Sequence, residues 1–242
     1  MINFMIENTH YLHQNGFTTL PDIYSISEVN SLIETIENAT QNSPNFRQSN
    51  DLFAIRNLIS EIPELQNVLW NENLKTLIKD LFGSNYFNVK AIYFDKPPQS
   101  NWIVAWHQDL TISVSDKADI EGFANWTLKQ GQPTVQPPRE ILENIYTVRI
   151  HLDDCDETNG ALRVIPKSHQ NGVVSMKDFR LEHYPEPISC SVPKGGVMLM
   201  KPLILHASNK ITSVRNRRVI HLEFSDMDLP DGLDWREKFT PA

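Results

Sequence analysis

The stretches Ile145-Tyr-Thr-Val-Arg-Ile-His-Leu-Asp153 and Arg217-Arg-Val-Ile-His-Leu-Glu-Phe224 both alternate with a period of two. Side chains two apart on a strand share a face. The first stretch therefore sets Tyr146, Val148, Ile150 and Leu152 against Arg149, His151 and Asp153. The second sets Arg218, Ile220, Leu222 and Phe224 against Arg217, Val219, His221 and Glu223. Two arrangements satisfy such strands. Either the apolar faces form the core and the charged faces meet water, or helices cover the apolar faces and the charged faces line a polar cavity between two sheets. The alternation alone leaves both open.

Around these two strands lie further short β-rich runs at 86–94, 102–109, 161–165 and 196–201, separated by Pro, Gly, Asn and Asp clusters such as Asp95-Lys-Pro-Pro98 and Val192-Pro-Lys-Gly-Gly196. Many short strands with such punctuation predict a sandwich or jelly roll. The first third reads as helical. Ser25-Ile-Ser-Glu28 has the spacing of a capping box ahead of Val29, Leu32, Ile33 and Ile36, and Leu74, Leu77, Ile78 and Leu81 form a second apolar stripe that Gly83 ends. The expected fold is mainly β with flanking helices, in one domain over 1–242: a helical part at 1–85 and a jelly-roll core at 86–242. Residues 115–144 are polar and contain Trp126, Gly131, Pro133, Pro137 and Pro138, and so long a connection in a compact domain is expected to be a lid or binding loop.

Composition narrows the functional classes. The chain has 242 residues, a net charge of −8 and no polybasic run, which argues against nucleic acid as a partner. The start, MINFMIENTHYLHQNG, lacks the pattern of a signal peptide, and no apolar run approaches the roughly 18 residues of a membrane span. A soluble cytoplasmic protein is the expectation. The only cysteines, Cys155 and Cys190, make neither a disulfide framework nor a thiolate metal site, and reduced thiols are the simpler reading.

Chemistry enters at His107-Gln-Asp109, which follows the aromatic and apolar run Trp102-Ile-Val-Ala-Trp106. On a strand, His107 and Asp109 point to one side and can share an ion. With His206, at the end of the apolar segment Gly196-Val-Met-Leu-Met-Lys-Pro-Leu-Ile-Leu-His206, they make two imidazoles and one carboxylate, the donor set of non-haem Fe(II) oxygenases. A second triplet, His151-Leu-Asp153, opens an acidic turn, Asp153-Asp-Cys-Asp-Glu157, and fits a solvated turn better than a ligand pair, although His151 fits a cavity. Arg217 follows His206 by eleven residues. A buried arginine needs a charged partner, which a dicarboxylate could supply through a bidentate contact. Arg218 competes for that role, but strand parity puts Arg217 on the face of His221.

These residues resemble the phytanoyl-CoA dioxygenase family of Fe(II)/2-oxoglutarate oxygenases, whose core is a double-stranded β-helix, or jelly roll. The family's W-H-x-D segment matches Trp106-His-Gln-Asp109. Its N-G-x-L-x-x-I-P-x-S-H segment matches Asn159-Gly-Ala-Leu-Arg-Val-Ile-Pro-Lys-Ser-His169, and its distal H-x-S and arginine match His206-Ala-Ser208 and Arg217. The opening Gly16-Phe-Thr-Thr-Leu20 fits as well. The resemblance implies iron held by His107, Asp109 and His206, and 2-oxoglutarate held by Arg217 and Ser208. Together with O2 these would hydroxylate a small molecule and release succinate and CO2. Halogenating relatives lack the carboxylate that Asp109 provides, so its presence points to hydroxylation. The charged faces carrying Arg149 and Arg217 should then point inward.

Two departures stand out. Arg149 takes a position where relatives place an aromatic residue, and could meet the cosubstrate or an acidic substrate. Lys167 replaces a more usual small residue. Arg149, Arg163, Trp126 and Lys129 hint at a polar or anionic substrate. A cupin-like metal enzyme that does not use 2-oxoglutarate, or a non-catalytic binding jelly roll, are the competing readings. Substrate identity and oligomeric state are not encoded in any motif.

Overall fold

A computed structural model describes residues 2–39, 43–49, 53–98, 100–129 and 131–241. Its strands are β1 (Phe17–Leu20), β2 (Phe46–Gln48), β3 (Phe53–Arg56), β4 (Phe87–Lys96), β5 (Val104–His107), β6 (Ile112–Ser113), β7 (Ala124–Lys129), β8 (Gln132–Gln136), β9 (Tyr146–His151), β10 (Leu162–Val164), β11 (Ile188–Ser189), β12 (Val197–Met200), β13 (His206–Ser208) and β14 (Arg217–Ser225). Its helices are α1 (Ile2–Asn15), α2 (Ile26–Glu37), α3 (Leu58–Glu61), α4 (Gln66–Leu69), α5 (Glu72–Leu81) and α6 (Arg139–Asn144).

The strands form an antiparallel large sheet, β1-β12-β9-β14-β4-β3-β2, and a small sheet, β11-β10-β13-β5, with β6, β8 and β7 in a third. The architecture is the expected jelly roll with helices on one flank. Both helix readings hold. Ser25 and Glu28 close a reciprocal capping box, and Val29, Leu32 and Ile36 of α2 join Leu74, Leu77, Ile78 and Leu81 of α5 in the main core. That core contains Tyr146, Val148, Ile150, Ile220, Leu222 and Phe224, the apolar faces of β9 and β14. Each fully buried Leu or Ile contributes about 1.5–3 kcal/mol. Helices thus cover the apolar faces, which turns the opposite faces inward.

Three strand expectations need correction. The first third is not helical throughout, because β1, β2 and β3 extend the large sheet at both ends. Strands of three or four residues are too short to show a period against neighbouring helices. The run at 102–109 is a strand only over Val104–His107, so Asp109 lies beyond it. Likewise β9 stops at His151, and Asp153 turns away to bind Arg218 through its Nε and Nη2 at 3.0 and 2.8 Å. Within 115–144, β7 and β8 form a hairpin whose Gln132 Nε2 donates to Asn45 Oδ1 at 2.5 Å. Among the described residues no helix is long and apolar enough to cross a membrane.

Candidate metal and cosubstrate site

His206 on β13 pairs directly with His107 on β5, which brings two imidazoles distant in sequence to 4.2 Å between ring centres. Each Nδ1–H donates to the carbonyl two residues earlier, His107 to Ala105 at 2.8 Å and His206 to Ile204 at 3.0 Å. Those bonds fix the tautomer, so each Nε2 presents its lone pair to the centre. Burial pushes His206 down to about 4, although Asp109 opposes the shift, so it is neutral and able to coordinate at pH 7.

Asp109 completes the set. Its Oδ1 lies 3.8 Å from His107 Nε2 and its Oδ2 3.8 Å from His206 Nε2. Burial would raise its carboxyl pKa, but His206, His221, His107 and Lys90 together outweigh burial and hold it well below the usual carboxylate range. Ligands about 2.1 Å from one metal stand roughly 3 Å apart, so each Asp109 edge is within an ångström of that spacing. Because the strand has ended, alternation does not aim Asp109. Its N–H donates to Pro202 O at 3.0 Å, while the intervening Gln108 turns inward and ties three backbone groups, Gly172 O, Leu203 O and Val174 N, each at 2.7 Å. The sequence motif gave no sign of that role for Gln108.

The opposite wall is the inward face of the large sheet. Arg149 Nη1 donates to His221 Nδ1 at 2.9 Å, His221 Nε2 donates to Glu223 Oε1 at 3.1 Å, and Glu223 pairs with Lys90 at 2.7 Å. Asp109, His221 and Glu223 also lie close enough to share an ion. A metal there would displace the bonds just described, whereas the Nε2 atoms of His107 and His206 have only Asp109 to meet. Arg217 is buried and donates from Nη1 to Gly160 O, with Arg218 outside on Asp153 and Glu37.

Arg149 and Arg217, both buried, have no ion pair with a carboxylate among the described residues. Among the described residues Arg149 Nε, Arg217 Nε and Ser208 Oγ are buried without a hydrogen-bond partner. Burial, then the neighbouring Arg217, brings Arg149 down to about 10, and it still carries its charge. Unsatisfied cationic donors beside a two-nitrogen, one-oxygen ligand set are what a metal-chelating dicarboxylate requires. Iron and 2-oxoglutarate therefore fit the residues present.

The motif around Asn159-Gly160 explains itself locally. Asn159 is fully buried and its amide bonds Asp154 O, Asn216 O and Asp156 N. Gly160 adopts φ +79°, and a Cβ there would stand 2.9 Å from Asn209 O. Ser168 Oγ accepts from Leu205 N at 2.8 Å and so anchors the residue before His206.

Not every candidate reaches the cavity, which holds about 250 Å³. Arg149, Lys129, Arg217 and Ser208 line it. His151 is buried beside it with both ring nitrogens unpartnered, and burial with Arg149 and Arg217 keeps it neutral. Arg163 stacks over Trp106 at 5.6 Å, and Trp126 packs on a separate apolar cluster. Cys155 and Cys190 are free, buried thiols. Sequence reasoning missed Arg47, Arg56 and Lys90, which also line the cavity. The run Phe53-Ala-Ile-Arg56, three apolar residues and a charge, is too short to show a period, so no local signal marked Arg56.

Known proteins resemble the chain along most of its length. Ectoine dioxygenase of Bordetella bronchiseptica is 21% identical over 208 residues, covering 77% of this chain, which spans 61% of that protein's length. The structure of EctD from S. alaskensis with 2-oxoglutarate and 5-hydroxyectoine superposes with a TM-score of 0.68 at 18% identity, over 90% of this chain and 75% of that one. The epimerase SnoN in complex with Fe3+, alpha ketoglutarate and nogalamycin RO gives 0.70 at 13% identity, over 100% and 96%. Those likenesses show a shared fold, and the match over residues 12–219 places the chain in the Phytanoyl-CoA dioxygenase (PhyH) family.

Proposed function

We propose that the protein is an Fe(II)- and 2-oxoglutarate-dependent dioxygenase that hydroxylates a small molecule and releases succinate and CO2. The observation that carries this reading is the pairing of an open His107-Asp109-His206 donor set with two buried guanidiniums that lack a carboxylate. His107, Asp109 and His206 would hold the iron. Arg217 and Ser208 would bind the far carboxylate of 2-oxoglutarate, and Arg149, adjacent to Arg217 on the same wall, would take the remaining negative charge. The bound pair would supply the oxidising chemistry.

The chain's own groups bind, orient and exclude water. The Nδ1–H bonds to Ala105 and Ile204 keep both imidazoles in the coordinating tautomer. Asp109 keeps a carboxylate where a halide would otherwise sit, which favours hydroxyl transfer. We read the chain as one oxygenase domain of the cytoplasm in which residues 115–144 cover the cavity mouth.

Anaerobic titration with Fe(II) and 2-oxoglutarate tests the reading. The visible metal-to-ligand charge-transfer band is expected in the wild type and absent in His206→Ala. No band in the wild type sinks the proposal, and a band that survives His206→Ala sinks the ligand assignment. A cupin-like enzyme without 2-oxoglutarate would show no effect of Arg217→Ala on cosubstrate binding.

A further inference from the structure

We propose that Arg56 and Lys129, with Arg47 at the mouth, recognise the substrate, and that this substrate is a small molecule bearing a carboxylate or phosphoryl group. The inference rests on the oxygenase reading above.

A row of residues crosses four neighbouring strands on the cavity face of the large sheet. Arg56 on β3 faces Ile92 on β4, Ile92 faces His221 on β14, and His221 faces Arg149 on β9. Adjacent strands lie about 4.8 Å apart, so three spacings put roughly 14 Å between the backbones of Arg56 and Arg149. The candidate metal ligands stand over the middle of the row, since Asp109 offers an oxygen within 4.8 Å of ligand atoms on His221 and Glu223. The cavity therefore has a cationic end on each side of the metal-ligand set. The two ends are separate groups, since the cation that Arg56 feels is Arg47 and the cation that Arg149 feels is Arg217.

The outer end draws on three elements. Arg47 pairs with Ala54, which shares a strand face with Arg56. Lys129 reaches in from the hairpin, where its ammonium donates to Thr111 Oγ1 at 3.1 Å, two residues beyond Asp109. Among the described residues Arg47, Arg56 and Lys129 have no ion pair within contact distance, and the hydrogen bond of Lys129 goes to that hydroxyl. Burial, then Arg47, lowers the pKa of the Arg56 guanidinium; burial, then Lys90 and Arg56, lowers that of Lys129, with Asp109 and Glu223 opposing only in part. Mutual repulsion of this kind is relieved by an anion.

Charge accounting separates this site from the cosubstrate end. Among the described residues the cavity is lined by six cations, Arg47, Arg56, Lys90, Lys129, Arg149 and Arg217, and by two carboxylates, Asp109 and Glu223, an excess of four positive charges in a chain of net charge −8. A divalent metal and a dianionic cosubstrate cancel each other and leave that excess in place. Glu223 is already committed to Lys90 at 2.7 Å. The unmatched charge sits where a substrate would approach the metal from the mouth.

The test uses sulfate and acetate as probes, titrated calorimetrically into anaerobic protein loaded with Fe(II) and 2-oxoglutarate. Binding to the wild type should weaken at least tenfold in the double variant Arg56→Gln/Lys129→Gln and persist in Arg56→Lys. The charge-transfer band should form in every case. Sulfate preference over acetate would point to a phosphoryl group and the reverse to a carboxylate. The proposal is overturned by no anion binding to the wild type, by equal affinity in the double variant, or by anions that bleach the band through displacing 2-oxoglutarate. A screen of acids beside their amides, read as stimulated succinate release, should select the acids, and equal stimulation by the amides also overturns it. Once a substrate is found, Arg56→Gln should raise KM at least tenfold with kcat held within threefold, which a general structural role would not do. An absent band in the wild type counts against the oxygenase reading alone, and the anion titration still reports on Arg56 and Lys129.

Discussion

On the small sheet, His107 and His206 are each held by their own backbone, two residues back. On the large sheet, Arg149, His221, Glu223 and Lys90 hold one another across three strands. The first wall is built from local bonds and short motifs, and its imidazoles are already held in one tautomer. The second is built from long-range pairings and carries more positive charge than it neutralises. One wall stores geometry and the other stores charge, and their responses to mutation and to ligand should differ accordingly.

The largest contrast is expected from His206→Ala, which should abolish the charge-transfer band and turnover together while leaving thermal unfolding within a few degrees of the wild type. Arg217→Gln should leave iron binding in place and weaken 2-oxoglutarate about 100-fold, or about 2.7 kcal/mol. The ligand-free Arg217→Gln protein should be no less stable in urea, because the change removes a buried charge that lacks an ion pair. A loss of stability there would mean that the bond to Gly160 O outweighs the charge, and the distinction between the walls would fail.

The large sheet also buries an acid on its flank. Glu237, which accepts from Ala91 N at 2.8 Å, is raised by burial to about 7 from an ordinary value of 4.5. Between these values the folded chain keeps a proton that the unfolded chain releases, so its contribution is fully present below about 4.5 and declines as pH rises through about 7. Denaturant midpoints between pH 5 and 8 should show a decline on the order of 1–2 kcal/mol that Glu237→Gln flattens. Ser208→Ala should cost 2-oxoglutarate affinity several-fold, about 1 kcal/mol, without lowering ligand-free stability, since its buried hydroxyl has no partner. The smallest effect lies behind the small sheet. Lys167 takes φ +66°, so Lys167→Gly should raise the unfolding midpoint by the equivalent of up to about 1 kcal/mol.

The two walls were also unequally legible. His107, Asp109 and His206 stand in short motifs; the period of two set Arg149 apart from the apolar face of one strand and Arg217 with His221 on another, and the family resemblance turned both faces inward. Parity broke down where strands end. Asp153 was placed with Arg149, but β9 stops two residues earlier and the carboxylate swings to Arg218. Asp109 was aimed by alternation, yet it is set by a turn bond to Pro202. The short strands holding Arg47 and Arg56 were hidden among helices, and pairing across the sheet, which no local pattern encodes, brings them to the cavity. Arg163 had the right charge and the wrong direction, spent on the face of Trp106.

Gln108 gives the candidate metal-ligand triplet a consequence for how freely it can vary. Its amide donates twice and accepts once, all to backbone, and so joins Asp109 to the chain at 172–174 and at Leu203, close to His206. The middle letter of the H-x-D pattern is therefore not a free variable in this chain. A glutamate would set negative charge against two carbonyl oxygens, and an alanine would leave three backbone groups to find water. A substitution silent to any search for the motif would loosen the spacing between His107, Asp109 and His206, and the motif would read as intact while the geometry it stands for had gone.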